Sequence, residues 1–265
     1  MFEENARFKE SDGKMQRRDR EQAVREHQRV SRALDGCRSC VDSKQMLKHL
    51  IVTLGYKVYL SLPSYKSLTE GHCLLAPTLH SPCATQLDED VWAEMQTFRK
   101  ALTKMFSDQG KDVVFFETAR NLRNFPHMVM ECVPLDQESG NLAPIYFKKA
   151  ILECETEWST NKKLVELAGK GVRRSIPKGL PYFAVCFGND DGFGHVIEDE
   201  KQFPYNFAQE TIGGILDLDH QLWRKKQNEN FEQQRKKVLA FAKDWAPYDF
   251  TNKKRESPSS SSDSD

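Results

Sequence analysis

The chain has 265 residues, 38% of them apolar and 29% charged, with a formal net charge of zero, enough for one large domain or two modest ones. The even balance excludes a globally polycationic nucleic-acid binder, so any such surface comes from local patches. Seven scattered cysteines with no apolar leader argue against a secreted disulfide framework, and no apolar run reaches a membrane span; thiols or metal ligands in a reducing compartment are the expectation.

Residues 1–33 are almost wholly polar and charged, as in Arg17-Arg18-Asp19-Arg20-Glu21, and read as an exposed helix or a disordered arm. Residues 34–143 read as a folded α+β unit. Lys57 to Leu62 and His72 to Ala76 are predicted strands, each closed by a proline. Asp88 opens a helix in which Trp92, Met95, Phe98, Leu102 and Phe106 form one apolar stripe, ended by Gly110. Val113 to Glu117 and Met128 to Val133 are two further strands. Strand, strand, helix, strand, strand points to an antiparallel sheet with flanking helices.

A second, smaller α+β domain is expected over residues 144–252. It opens with a helix from Ile145 to Trp158, then a basic loop from Lys170 to Lys178. Pro181 to Phe187 is a strand, Gly188 to Gly194 a turn, and His195 to Ile197 another strand. Helices from Asn206 to Asp217 and from Asn230 to Trp245 follow. Residues 253–265, KKRESPSSSSDSD, read as a disordered acidic and serine-rich tail.

Cys37-Arg38-Ser39-Cys40 is the sharpest short motif. Two cysteines three apart can bind one tetrahedral zinc, with thiolates about 2.3 Å from the metal. No second such pair follows, so further ligands would be distant in sequence, with histidines as the obvious donors. Seven are available; either His80, just past a strand-ending proline, or His127, at a strand start, could face the pair, and spacing alone does not select among the seven. The alternatives are two ordinary thiols or a redox pair, the latter disfavoured because no strand precedes the motif. Strand alternation puts His127, Val129 and Glu131 on one face and Met128, Met130 and Cys132 on the other.

The order of these motifs resembles the histidine-triad superfamily: Cys37/Cys40, then Gly71-His72-Cys73-Leu74-Leu75-Ala76-Pro77, His80, the Asp88 helix and Phe125-Pro126-His127. More specifically it is similar to the CwfJ C-terminal family, Cwf-type spliceosome-associated proteins. That likeness rests on Phe125-Pro126-His127-Met128-Val129-Met130-Glu131-Cys132-Val133-Pro134 and on the stretch from Arg174 to Phe183. Gly194-His195-Val196-Ile197-Glu198, Phe203-Pro204, Gly213-Gly214 and Trp245-Ala246-Pro247-Tyr248-Asp249-Phe250-Thr251 add to it. It covers roughly residues 37–252 and implies a C-terminal part of a longer protein or a short member.

The resemblance implies a histidine-triad-like sheet and zinc held by Cys37, Cys40, His80 and His127. It also implies that His127, Val129 and Glu131 are a degenerate triad. An active triad uses its middle histidine as nucleophile on a phosphate; Val129 has no lone pair, and an anionic Glu131 would repel phosphate. No catalytic residue is therefore expected; His195, near Asp190, Asp191 and Glu198, is the one substitute base considered.

Lys170, Arg173, Arg174 and Lys178, leading into Tyr182 and Phe183, suit phosphate contact with single-stranded RNA. Arg120 and Arg123, with Lys57, are a second candidate patch. The function implied is a non-enzymatic, nuclear RNA-processing factor of late or intron-lariat spliceosomes. Its partners would be spliceosomal RNA or the intron lariat, spliceosome proteins and the lariat debranching enzyme, with no membrane. An active nucleotide hydrolase or transferase and a zinc-stapled protein scaffold are the alternatives.

Overall fold

A computed structural model describes residues 2–154 and 163–253. The last part of the expected 145–158 helix and the tail from residue 254 onward lie outside the described residues. Eight strands form one sheet: β1 (Ile51–Leu54), β2 (Val58–Ser61), β3 (Cys73–Pro77), β4 (Lys111–Ala119), β5 (Met130–Asp136), β6 (Val165–Glu166), β7 (Tyr182–Phe187) and β8 (Asp190–Val196). Their order is β1-β2-β3-β5-β4-β7-β8-β6, with antiparallel pairing throughout. The helices are α1 (Phe2–Asp35), α2 (Glu89–Asp108), α3 (Gln137–Glu153), α4 (Gly171–Ser175), α5 (Phe207–Ile215), α6 (Gln221–Arg224), α7 (Phe231–Trp245) and α8 (Phe250–Lys253). No helix among the described residues is long and apolar enough to cross a membrane.

Period-two alternation along β4 divides the core. Val113 and Phe115 face one cluster with Met95, Phe98, Leu102 and Phe106 of α2, and with Phe241 and Trp245 of α7. Val114 and Phe116 face the other, with Phe147 and Ile151 of α3 and Ala208 and Ile212 of α5. The α2 stripe is buried as its spacing predicts, and Asp88 stands at its N-cap with Glu89 and Asp90 in the first turn. Gly110, at φ 71, turns the chain after it.

The structure differs from the sequence reading at four places. First, β4 pairs with β7 over six residues, Val114↔Phe187 through Ala119↔Tyr182. The segment after residue 143 thus extends the first sheet and, among the described residues, builds no second one. Second, α3 begins at Gln137, not Ile145. Asp136 caps it by accepting from the Ser139 backbone N–H at 2.9 Å. Pro144 lies inside the helix, at a cost of about 3 kcal/mol, offset by burying Ala143, Phe147 and Ile151.

Third, Gly188 to Gly194 is mostly strand. The turn is Gly188-Asn189, with Gly188 at φ 55, as a two-residue hairpin requires. Gly192 is the extra residue between the pairs Val185↔Phe193 and Cys186↔Asp191. A Cβ there would sit 2.4 Å from the Val185 carbonyl oxygen. Arg99 of α2 holds the turn, donating to the Gly188 and Asp190 carbonyls at 2.9 and 2.8 Å. Fourth, the His127 strand enters the ladder only at Met130, although alternate burial already runs from His127: Met128, Met130 and Cys132 are buried, and His127, Val129 and Glu131 half-buried.

Candidate functional site

The structure brings Cys37, Cys40, His80 and His127 together, with one ligand atom from each all within 4.8 Å of one another. The pieces come from three elements. The end of α1 delivers the cysteines; backbone N–H groups of Ser39 and Cys40 both donate to the Cys37 sulfur at 3.3 Å, closing the knuckle. His80 sits in the turn after β3, and His127 leads into β5.

Both imidazoles present Nδ1 to sulfur: Cys40 Sγ to His80 Nδ1 is 3.2 Å, and Cys37 and Cys40 Sγ are each 3.4 Å from His127 Nδ1. A tetrahedral Cys2His2 zinc with standard bond lengths separates sulfur and nitrogen by about 3.5 Å, so the donor set fits the metal. The remote nitrogens are fixed as donors. His80 Nε2–H donates to Phe125 O and His127 Nε2–H to Pro77 O, each at 2.9 Å. Such outer bonds orient the ring and leave the Nδ1 lone pair for a metal.

The titration of the group fits the same role. Burial pulls the His127 imidazole down to about 4, against the Pro77 bond that raises it, so the ring is the neutral form that ligates. Burial and the neighbouring Cys37 push the Cys40 thiol up to about 12; a bound cation is what ionises such a thiol. Local backbone strain lies at the same place. Phe125 holds φ 52, a left-handed conformation costly for a bulky residue, and its ring stacks on His80 at 4.9 Å and 10°.

His127, Val129 and Glu131 line a cavity of about 520 Å³, closed further by Thr118, Arg120, Tyr205, Gln209 and Lys226. Val129 stands between the other two along the chain. Glu131 is pinned: His72 Nε2–H donates to Oε2 at 3.2 Å and Gln209 Nε2 donates to Oε1 at 2.9 Å. The Leu68 N–H donates to His72 Nδ1 at 3.4 Å, which places the buried imidazole's proton on Nε2. Burial would raise the Glu131 pKa, but the contact with His72, then the Lys226 charge and the Gln209 bond, together outweigh it and hold the carboxyl below its usual range. Glu131 is therefore an anionic structural group. Lys226, Gln209 and Tyr205 were not read from the sequence; only the charge run Arg224-Lys225-Lys226 hinted at the lysine.

His195 does not reach this cavity. It is buried on β8, donates through Nδ1 to Lys163 O at 2.6 Å and stacks on Phe203 at 5.6 Å. The two basic patches are not brought together either. Val172 and Ile176 anchor the α4 segment in the α2-side cluster, whereas Phe116, which lines the cavity, belongs to the other. Arg173 is committed inside the molecule, donating to Glu89 at 2.6 Å and Leu87 O at 2.8 Å and lying over Trp92. Lys170, Arg174, Lys178 and Arg123 are exposed. Arg120 lines the cavity and donates to Glu200 O; Lys57 pairs with Asp90.

Beneath the His80 loop lies a carboxyl that the sequence did not single out. Glu117 of β4 accepts from Ala84 N–H at 3.0 Å and from the Tyr182 hydroxyl at 2.6 Å. Burial pushes its pKa from 4.5 up to about 7. The folded state then keeps a proton that the unfolded chain has lost between these values, so Glu117's own contribution to stability is fully present below about pH 4.5 and is lost as pH rises through about 7. Urea titrations from pH 5 to 8 should show Glu117→Gln flattening this decline by about 2–3 kcal/mol; a Gln variant with the parental slope would rule out this assignment.

Two family models match adjacent stretches. One, described as protein similar to CwfJ C-terminal, covers residues 24–148; the other, protein similar to CwfJ C-terminus 2, covers residues 157–251. Relatives include the mouse CWF19-like protein 2, 54% identical over 96% of this chain and 29% of that protein. The Drosophila melanogaster homolog is 49% identical over 95% of this chain and 36% of that protein. The Schizosaccharomyces pombe pre-mRNA-splicing factor cwf19 is 31% identical over 75% of this chain and 32% of that protein. The chain thus spans about a third of the length of these relatives. Among solved structures, a Hit-like protein from Bartonella henselae aligns at 22% identity over 33% of this chain and 68% of that chain, with a TM-score of 0.26. A hypothetical histidine triad nucleotide-binding protein from Sulfolobus tokodaii aligns at 14% identity over 67% and 90%, with a TM-score of 0.25.

Proposed function

Because the chain belongs to the CwfJ C-terminal family, we propose that it is a non-catalytic part of a nuclear splicing factor, which binds RNA at the remodelled triad cavity and is stapled by one zinc on Cys37, Cys40, His80 and His127. The observation that carries this reading is Val129 in the middle triad position. Apart from His127, whose Nδ1 faces the thiols, no histidine or cysteine lines that cavity among the described residues. No imidazole nitrogen or thiol there is free to take the triad's nucleophilic role on phosphorus, while Arg120 and Lys226 leave a cationic wall for a backbone phosphate.

The splicing role is supported by the fission-yeast relative, which is named a pre-mRNA-splicing factor. Action at the late or intron-lariat stage, with the lariat and its debranching enzyme as partners, is part of the same proposal. Zinc, were it bound, would supply a structural cross-link: the chain's own groups fill a four-ligand shell and leave no position for substrate. His127 would then serve by holding α1 and β5 together through its Nδ1, while its Nε2–H keeps its proton and donates to Pro77 O.

Fluorescence anisotropy with a labelled single-stranded RNA tests the binding claim. Lys226→Glu is expected to weaken binding by about tenfold, one phosphate contact's worth; unchanged affinity would refute the cavity as the RNA site. Incubation with adenosine phosphoramidate and dinucleoside polyphosphates should give no turnover in the parent chain or in Val129→His, since restoring one ring leaves Glu131 and the committed His127 in place. Turnover by the parent chain, abolished in His127→Ala, would overturn the non-catalytic reading.

A further inference from the structure

The N-terminal helix carries a charged stripe that neither the metal centre nor the cavity uses. α1 spans 34 residues, about 50 Å at 1.5 Å per residue. Its residues from Lys14 to Arg29 are exposed. Arg18, Arg25 and Arg32 recur two turns apart, so the helix stacks them on one face; Lys14 and Arg29 fall in the same arc. Arg17 pairs with Glu21, and Arg29 with Glu26. Arg18, Arg25 and Arg32 make no ion pair among the described residues.

What such a stripe fits follows from what accompanies it. A helix that docks in a protein groove presents apolar anchors at i, i+3, i+4 and i+7. The large apolar side chains of the exposed stretch, Met15 and Val24, are nine residues apart and so point to opposite faces. A polyanionic backbone needs no apolar anchor, and guanidinium forks match phosphate oxygens. The helix is also aimed. Gly36 N–H donates to Arg32 O at 3.1 Å and Cys37 N–H to Leu34 O at 3.2 Å, so the stripe runs directly into the knuckle. The base of α1 packs against the Leu122–Asn124 turn, and the knuckle's His127 also lines the cavity.

We infer that α1 is a phosphate-backbone rail, on which Arg18, Arg25 and Arg32 hold single-stranded RNA in a sequence-independent way beside the cavity. The inference rests on the RNA-binding reading above. The knuckle of Cys37 and Cys40 at the base of α1 sets the direction of the rail, which a bound metal would fix; the arginines supply the contacts.

The test is anisotropy of the full chain with a fluorescein-labelled 20-nucleotide oligouridine across about 50 to 200 mM KCl, the range over which backbone contacts show their salt dependence. Arg18→Gln/Arg25→Gln/Arg32→Gln is compared with a charge-matched body variant, Lys148→Gln/Lys149→Gln/Lys243→Gln, and with Lys226→Glu. Circular dichroism checks that helix content is kept. The expected result is a log–log salt slope reduced by about 2 in the arginine variant, three contacts at about 0.7 each, and affinity down about 10- to 100-fold, with the body variant unchanged. If the parent binds, Lys226→Glu weakens binding and the arginine variant does not, the rail is refuted while the cavity reading stands. An equal loss in the body variant also refutes the rail, leaving only net charge. If poly-glutamate binding depends on the arginines and RNA binding does not, the partner is an acidic protein and the inference fails. A parent chain that binds no RNA removes both readings together.

Discussion

Cys40→Ser is expected to abolish stoichiometric zinc and to lower the melting temperature by about 10 °C. At free zinc about a thousandfold above Kd, a site that exists only in the folded chain contributes about 4 kcal/mol, and a fold of this size melts about 2–4 °C lower per kcal/mol lost. The loss falls on a defined set of contacts. His80 and His127 lie edge to face at 4.8 Å with their Nδ1 atoms turned to sulfur, and α1, the β3 turn and the approach to β5 meet there. Metal removal by a chelator should reproduce the shift in the parent chain and add nothing in the variant. Thermal melts with elemental analysis of each sample check both; a parent that melts at the same temperature with and without metal would show that the four residues do not staple the fold.

Trp245→Ala is expected to be as damaging, by about 3–5 kcal/mol, the range for truncating a buried tryptophan. Trp245 is 1% exposed, stacks on Phe98 of α2 at 6.1 Å, and donates from Nε1 to Thr53 Oγ1 of β1 at 2.7 Å. It lies in the stretch matched by the second family model, and its partners lie in the first. With β4 and β7 sharing a ladder, the two stretches should unfold together. Urea denaturation followed by tryptophan fluorescence and circular dichroism should give one transition in the parent and one, at lower urea, in the variant. Two separated transitions would mean that the stretches are independent domains joined only by proximity.

What was legible in the sequence was whatever local periodicity or spacing encodes. The α2 stripe, the alternation of Met128, Met130 and Cys132 against His127, Val129 and Glu131, and the helix expected from Asn230 to Trp245 are local patterns; the structure adds a capping box between Asn230 and Gln233 at the start of that helix. The identity of the two metal-facing histidines needed the family likeness, since His80 and His127 are each separated from the cysteines by tens of residues. β1 was missed because a four-residue run, Ile51–Leu54, has no period to read. The start of α3 was missed because Pro144 was read as a boundary, whereas the Asp136 cap sets it.

Partnerships across the chain were the least legible. Gln209 lies 78 residues from the Glu131 carboxylate it satisfies, and Glu89 lies 84 residues from Arg173. A basic loop reads as a ligand surface until the fold shows which of its guanidinium groups is already engaged. The same logic explains Glu131: as a lone residue it looks like damage to a triad, and in the fold it is the acceptor that locks His72 and Gln209 behind the cavity floor.

The central claim is that the first triad histidine persists as a metal ligand while the nucleophile position is valine. Zinc K-edge absorption on the purified full chain tests it most directly. The expected result is one zinc per chain with two sulfur ligands at about 2.3 Å and two nitrogen ligands at about 2.0–2.1 Å, one nitrogen replaced in His127→Ala. A shell that lacks sulfur, or one that His127→Ala leaves unchanged, would contradict it.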